Sequence, residues 1–429
     1  MAGNGFVKHI GVGQGIALYV SAILGAGVLV LPGQVASMAG PASLVSWAIA
    51  SLLGVPLAVM FAALARRFPD AGGVASYARA GFGPTAGGIT GWLFFVAGSV
   101  GQTIVPLTGG YYVADACDLG GGAAIGVAVL ILLVATGANL LGVRVSARTQ
   151  LWLAGSVGLA LALIIAVTVP RMRLEELTPF APQGVAPIGS AVVVLFFAFA
   201  GWEAISHLVG EFRDPDRDVP RAVAATVVIV SVLYLGTACA VVLTGTYGDP
   251  ATDRVAIGIL LQEALGAAAG PVAAVIAVVI SLGTTNAFIA GVSRLGHSLA
   301  ADRWLPTPIA TINRNGVPVG GVLAVSGIAA AGLAIAAWRD WGTDTLVVIP
   351  STLVVAVYVI AAAAAVRVLT GGGRVAAIST LVITVLVVPT AAQHALIPVA
   401  VVVLALLSRL LSRSLSNPSN KKQTSPHST

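Results

Sequence analysis

Apolar residues gather into long runs along this chain, and nearly all the charges fall in the short stretches between them. A helical membrane span needs about 20 mostly apolar residues. The runs predict about twelve such helices, at 12–36, 42–65, 84–114, 121–141, 149–169, 187–211, 220–246, 268–296, 317–338, 344–367, 374–392 and 394–411. The third and eighth exceed what a span needs and are expected to tilt. The last two form a tight hairpin around Gln393. Lys8 before the first run mimics a signal peptide. That run is longer than a signal's apolar core, and no small-residue cleavage site in a polar context follows, so it is read as a span. No linker separates soluble domains. The tail "SLSNPSNKKQTSPHST" is polar and rich in Pro and Ser, and is expected to be disordered in the cytoplasm.

The charges then fix an orientation. With the N-terminus in the cytoplasm, 18 of the 22 Lys and Arg fall inside, and Arg171, Arg173, Arg254 and Arg339 fall outside. This is the positive-inside pattern. A missing or extra span would scramble the split, so topology and span count support each other. Composition agrees: 58% of residues are hydrophobic, 9% are charged, and mean hydropathy is +0.99. An ordinary soluble domain is about one quarter charged, so much of this surface must face lipid. The formal charge of +6 does not point to nucleic acid, because the basic residues lie between apolar runs rather than in a patch. Cys117 and Cys239 give neither a disulfide framework nor a metal spacing, and no cofactor site is visible. Abundant Ala, Gly and Val, with Arg far exceeding Lys, suggest a GC-rich bacterial genome.

Two runs carry interruptions. The first, "GQGIALYVSAILGAGVLVLPGQ", has Gly25-Ala26-Gly27 near its middle. Glycine in a membrane helix also serves close packing. The sixth has Ala200-Gly201 just before Trp202-Glu203. Two weak points five spans apart are a sharper signal than either alone. Inverted repeats of five spans place broken helices at corresponding positions, with the substrate between them near the bilayer midplane. A broken helix frees backbone groups that must find partners. The segment Leu24, Gly25, Ala26 and Gly27 is therefore expected to bind an amino-acid carboxylate through its amides. The carbonyls of Phe199, Ala200 and Gly201 are expected to bind the ammonium.

The motifs resemble those of the amino acid–polyamine–organocation superfamily of transporters. "GAGVLVLPG" at 25–33 is similar to its first-helix motif, and "RRFPDAGGVASYARAGFGPTAGGITGW" at 66–92 to its loop between spans two and three. "FAFAGWEAISHLVGEFRDPDRDVPRA" at 197–222 is similar to its sixth span and following loop, and "SRLGHSLAADRWLP" at 293–306 to the end of its eighth. Within the superfamily, the stretch around Gly201-Trp202-Glu203-Ala204 is most similar to the bacterial methionine and branched-chain amino-acid exporter. The resemblance implies an all-α integral membrane protein of about 12 transmembrane helices. It implies a leucine-transporter-like, five-plus-five inverted-repeat core with helices 1 and 6 interrupted. Residues 1–369 would form that core, with repeat one at about 10–170 and repeat two at about 185–369. Two extra helices would follow at 370–412 and a tail at 413–429. The setting is the plasma membrane of a bacterium, with both termini cytoplasmic, as a monomer or homodimer.

Candidate chemistry centres on the sixth run. Glu203, His207 and Glu211 are spaced by four and on a helix would form one stripe. An ionisable residue inside a span is a functional candidate, against the alternative of a buried network that only ties helices together. Burial lets a carboxyl keep its proton more readily than water does. Glu203 is thus expected to couple proton binding to alternating access, and the resemblance implies a gating glutamate here. His207 is expected to relay the proton one turn on; Glu211, near Arg213, reads as an interfacial salt bridge. Phe197, Phe199 and Trp202 are candidate walls or gates over an apolar substrate side chain, or plain packing. Ser281, Thr284 and Thr285 share a helical face. In sodium-coupled relatives hydroxyls there hold Na⁺, an ion suited to oxygen ligands, whereas packing is the simpler reading. Some proton-type relatives fill that place with a span-five lysine, and "LWLAGSVGLALAL" has none. Gln102 and Asn286 read as structural. The alternating charges of "RDPDRDVPRA" are expected to pair with Arg66, Arg67 or Arg79, and Pro220 to start a helix.

The expected function is export of small apolar amino acids (methionine, leucine, isoleucine, valine), coupled to protons and possibly to sodium. No Lys or Arg falls in the central part of any span to hold a charged side chain. The alternatives are a proton- or sodium-coupled uptake permease and, more remotely, a channel or membrane-embedded sensor. A membrane enzyme would need a nucleophile, metal cluster or paired carboxylates at one depth, and the scattered His and Cys form no such set.

Overall fold

The computed structural model describes residues 10–68, 73–142, 147–203 and 212–415. Its described residues are helix, turn and loop, apart from one isolated bridge between Ile10 and Phe212. The first predicted run is two helices, α1 (Val12–Ile23) and α2 (Gly27–Ala39), divided by three residues. Then come α3 (Ser43–Arg67), α4 (Gly73–Phe82), α5 (Pro84–Ala116), α6 (Gly121–Leu140), α7 (Ala147–Thr168) and α8 (Ala186–Leu195). The second half holds α9 (Pro215–Thr244), α10 (Pro250–Leu265), α11 (Ala269–Ala301), α12 (Val319–Arg339), α13 (Thr343–Leu346), α14 (Val348–Val368), α15 (Gly371–Val387) and α16 (Leu396–Leu415).

Among the described residues, 8 helices are long and apolar enough to cross a membrane, with Gly27–Arg67 counted as one. Shorter apolar helices at Val12–Ile23, Gly155–Arg171, Ala186–Leu195 and Leu396–Leu411 stand where the first, fifth, sixth and twelfth runs were expected. The halves match in order: an interrupted span, a span, a short helix, then a 33-residue helix (α5 or α11). Matching members pack on each other, α2 on α8, α3 on α9 and α5 on α11. Small residues permit the last contact, because a Cβ on Gly98 of α5 would lie 2.6 Å from Val292 of α11, and one on Gly109 2.9 Å from Ser281. The last helix is tied in through Ser408, whose hydroxyl donates to the Trp304 carbonyl at 2.9 Å; Trp92 Nε1 donates to the same oxygen at 2.7 Å.

Three expectations change. The sixth run is interrupted as expected, but the break begins before Ala200-Gly201: α8 stops at Leu195, and residues 196–203 form successive turns. Glu203 therefore sits in a turn, while His207 and Glu211 lie outside the described residues, as does the tail beyond Leu415. Helix α9 begins at Pro215 rather than Pro220, because the Asp214 carboxylate caps it by accepting from Arg217 N at 3.3 Å. Two helices lie outside the predicted runs, α4 and α10. The second is started by Asp249, whose carboxylate accepts from the amides of Ala251 at 3.0 Å and Thr252 at 3.1 Å, with Pro250 at the first position.

The two ends of the molecule differ. One carries Arg66, Arg79 and the start of α9, and is called here the basic end. Arg66 pairs with Asp216 at 3.1 Å, as the charge pattern suggested, but Asp216 is 90% exposed and such a pair is worth little. Arg79 pairs instead with Asp302, after α11. At the opposite end α10 lies across α2.

Candidate substrate and coupling site

The two interruptions meet. Leu24 ends α1 with φ −74° and ψ 63°, an inverse γ-turn in which Gly25 N donates to Ile23 O at 2.8 Å. Val28 N reaches back to Gly25 O at 3.3 Å and Leu29 N to Ala26 O at 3.1 Å. The amides of Ala26 and Gly27 donate to no described residue, and they stand at the positive end of α2. A Cβ on Gly27 would lie 3.4 Å from Ala198 Cα in the second break. Gly201 has φ +137°, and a Cβ there would lie 2.7 Å from Ala22 O in α1. Only a residue without a side chain satisfies both conditions.

Tyrosine hydroxyls stitch the breaks to the scaffold. Tyr234 of α9 contacts Ile23 O at 2.7 Å and Ala198 O at 2.9 Å, one carbonyl from each break. Tyr358 of α14 donates to Glu203 Oε2 at 2.8 Å and lies 3.3 Å from Phe199 O. Gly201 N also donates to Glu203 Oε2, at 3.2 Å. Glu203 is 5% exposed, and among the described residues it forms no ion pair. These tyrosines were not anticipated. The available signal was a phenol inside an apolar run, which when buried needs a hydrogen-bond partner.

Between the breaks lies a cavity of about 40 Å³. Its walls include Gly25, Ala26, Gly27, Phe197 and Ala200, with Phe94, Gln102 and Val105 from α5, Thr284 and Phe288 from α11, and Pro350 and Val354 from α14. Among the described residues, no charged side chain lines it. The other sequence candidates stand elsewhere. Phe199 packs edge-on against Tyr234, with ring centroids 5.2 Å apart, and Trp202 against Tyr19 at 6.2 Å. Both also face Gly54 of α3. Leu24 lines a second cavity of about 680 Å³, with Ser21, Asn139, Asn286 and Arg294. The two cavities share Ala22, Thr284 and Phe288, and the larger one reaches the loop at Asn315–Pro318, at the basic end. Asn286 is structural in its contacts, accepting from Asn139 Nδ2 at 2.8 Å.

The expected hydroxyl trio divides. The Thr284 methyl would lie 3.1 Å from a Cβ on Gly25, so this side chain sits against the first break. Ser281 Oγ faces Gly109 of α5, and it and Thr285 Oγ1 are buried without a hydrogen-bond partner among the described residues. Positions 284 and 285 lie on either side of 281, about 100° apart around α11, so the two threonines meet different neighbours.

At the far end the site is covered. Ser37 Oγ donates to Asp253 Oδ1 at 2.7 Å, and Gly248 N to the same oxygen at 3.1 Å. Gln34 Nε2 donates to Thr343 Oγ1 at 2.6 Å. Arg254 pairs with Asp344 at 3.5 Å and lies 4.9 Å above the Tyr111 ring. Burial pushes the Asp253 carboxyl above its ordinary range, against the lowering effect of Ser37 and Gly248 N.

A multi-span helical protein with two facing helix breaks around a small cavity has the construction of a membrane transporter. The amino acid permease family model matches residues 16–371, and the chain belongs to that family, within the amino acid–polyamine–organocation superfamily. It is similar to the uncharacterized amino acid permease YecA of Bacillus subtilis, 31% identical over 367 residues, 83% of this chain and 84% of that one. It is similar also to the L-methionine/branched-chain amino acid exporter YjeH of Escherichia coli, 28% identical over 394 residues, 87% of this chain and 90% of that one. A shorter match, 28% identical over 236 residues, is to the branched-chain amino acid permease BcaP of Bacillus subtilis and covers 51% of each chain.

Proposed function

We propose that this protein exports small apolar amino acids, methionine, leucine, isoleucine or valine, across a bacterial plasma membrane by proton-coupled alternating access. One observation carries the reading: among the described residues, the cavity between the breaks offers backbone dipoles and apolar walls but no charged side chain. A zwitterion can satisfy its carboxylate on the amides of Ala26 and Gly27 while an apolar side chain rests on Phe94, Phe197 and Val354. A charged side chain would be left unpaired in an apolar site, at a cost of several kcal/mol. The likeness to the YjeH exporter supports the same substrates.

The substrate site is then Gly25, Ala26, Gly27, Phe197 and Ala200, with Leu24, Phe199, Gly201 and Trp202 as its surround. The basic end is cytoplasmic on the positive-inside rule, so the larger cavity is the inner approach and α10 the outer cover. A cavity of about 40 Å³ has room for one or two waters, and a methionine must spread its walls. Glu203 takes up and releases the coupling proton beside Tyr358, with His207 as relay. Residues 1–369 act as the transport core and 370–412 as an appended pair.

The test uses purified protein in liposomes preloaded with labelled methionine, with the outside made acidic. Efflux driven by the inward proton gradient is the expected result, and E203Q should lose that drive. Efflux that ignores protons but follows a sodium gradient would reject proton coupling and move the ion site to Thr284, with Ser281 and Thr285 behind it. An uptake permease for the same substrates is the second reading, favoured by the likeness to BcaP; proton-driven accumulation without driven efflux would select it.

A further inference from the structure

The carboxylate of a bound amino acid has partners at the first break, but the ammonium is less well provided for. The carbonyls that the second break frees are crowded: the Tyr234 hydroxyl lies 2.9 Å from Ala198 O and that of Tyr358 3.3 Å from Phe199 O, although each hydroxyl has a second, nearer acceptor. On the opposite wall stands Gln102 of α5. Its Nε2 donates to Gly98 O, one turn back, at 3.2 Å. That bond fixes which end of the amide is oxygen. Gln102 Oε1 is then left buried with no hydrogen-bond partner among the described residues, and the residue is 1% exposed. It lines the same small cavity as Gly25, Ala26 and Gly27, so a molecule held on those amides lies within reach of it. A buried acceptor without a donor is costly, and nothing in its own helix requires the side chain to reach into the cavity.

We propose that Gln102 Oε1 accepts a hydrogen bond from the α-ammonium group of the transported amino acid, and so selects for an amino acid over the corresponding carboxylic acid. The ammonium brings donors and no acceptor, the complement of an unpaired amide oxygen. The bond is charge-assisted, hence stronger than one between neutral groups. Among the described residues the cavity has no carboxylate side chain, so the zwitterion is recognised by dipoles at both of its charged ends. A neutral acceptor holds the ammonium without trapping it, as a carrier that must release its cargo requires. The inference rests on the substrate class proposed above.

The experiment measures binding of L-methionine and of its des-amino analogue to purified wild type and Q102M, with melting temperatures recorded alongside. Methionine keeps the length of glutamine and removes the acceptor. Q102M is expected to weaken L-methionine binding by about ten- to a hundredfold and to leave the des-amino compound within about twofold. Equal weakening of both ligands would mean that Gln102 only shapes the cavity, and no weakening of either would mean that it does not contact the ligand; each overturns the proposal. If Q102M does not fold, Q102L makes the same comparison. If wild type binds none of methionine, leucine, isoleucine and valine, the proposed function fails and this inference with it, an outcome distinct from wild-type binding that is indifferent to Gln102.

Discussion

At Gly201 two constraints coincide, a φ of +137° and an Ala22 carbonyl 2.7 Å from where a Cβ would stand. The strain alone costs about 1–3 kcal/mol, and the clash would push the breaks apart. G201A is expected to lower the melting temperature in detergent and abolish transport, whereas G291A, on an open face of α11, should do neither. Tyr234→Phe leaves Ile23 O and Ala198 O without their shared donor and should cost about 1–3 kcal/mol. Its melting curve and transport rate would show this, and an unchanged rate would remove Tyr234 from the cycle. The glycines of both breaks were legible in the sequence as flexible points near a buried acid. The tyrosines were not, because a Tyr in an apolar run reads as packing until its partner is known. Glu203 was legible as an intramembrane acid, though not its place at the end of the turns that run from Phe196, while the stripe it was expected to form with His207 and Glu211 lies outside the described residues.

Among the elements, α10 shows most plainly why a search for spans is incomplete. It has 16 residues, too few for a membrane crossing, and it escaped a reading built on long apolar runs. Its start was nevertheless written in "DPATD", an acidic cap followed by proline. Helix α10 also carries a pH dependence. Burial raises the Asp253 carboxyl above its ordinary range, so the folded state favours its protonated form. The stability it contributes is complete at pH below the unfolded carboxylate's pKa and is lost as pH rises through the raised one. The facing groups are Ser37 and the Gly248 amide, with Asp249 and Asp344 adding negative charge. D253N is expected to flatten that part of the stability–pH profile, read as melting temperature from acid to neutral pH. An unaltered slope would place its origin elsewhere.

For the whole molecule, the long apolar runs carried the multi-span helical architecture, since lipid permits few ways to hide a backbone, and the pattern of Lys and Arg adds an expected orientation. Orientation has a direct check. Cys117, after α5, is exposed, and Cys239, within α9, is partly buried. If the basic end is cytoplasmic, a membrane-impermeant maleimide added to intact cells should label the C239S variant and not C117S. Failure to label C239S, whose remaining Cys117 would then face the cytoplasm, would invert the topology. Packing between the halves was beyond the sequence, because it depends on which small residues face which neighbours. One of those meetings bears on turnover. The Tyr234 phenol has a single hydrogen and two carbonyl claimants, one on each half. One hydrogen between two acceptors leaves one carbonyl underserved, so the seam between the breaks is held by a bond that can pass from one side to the other.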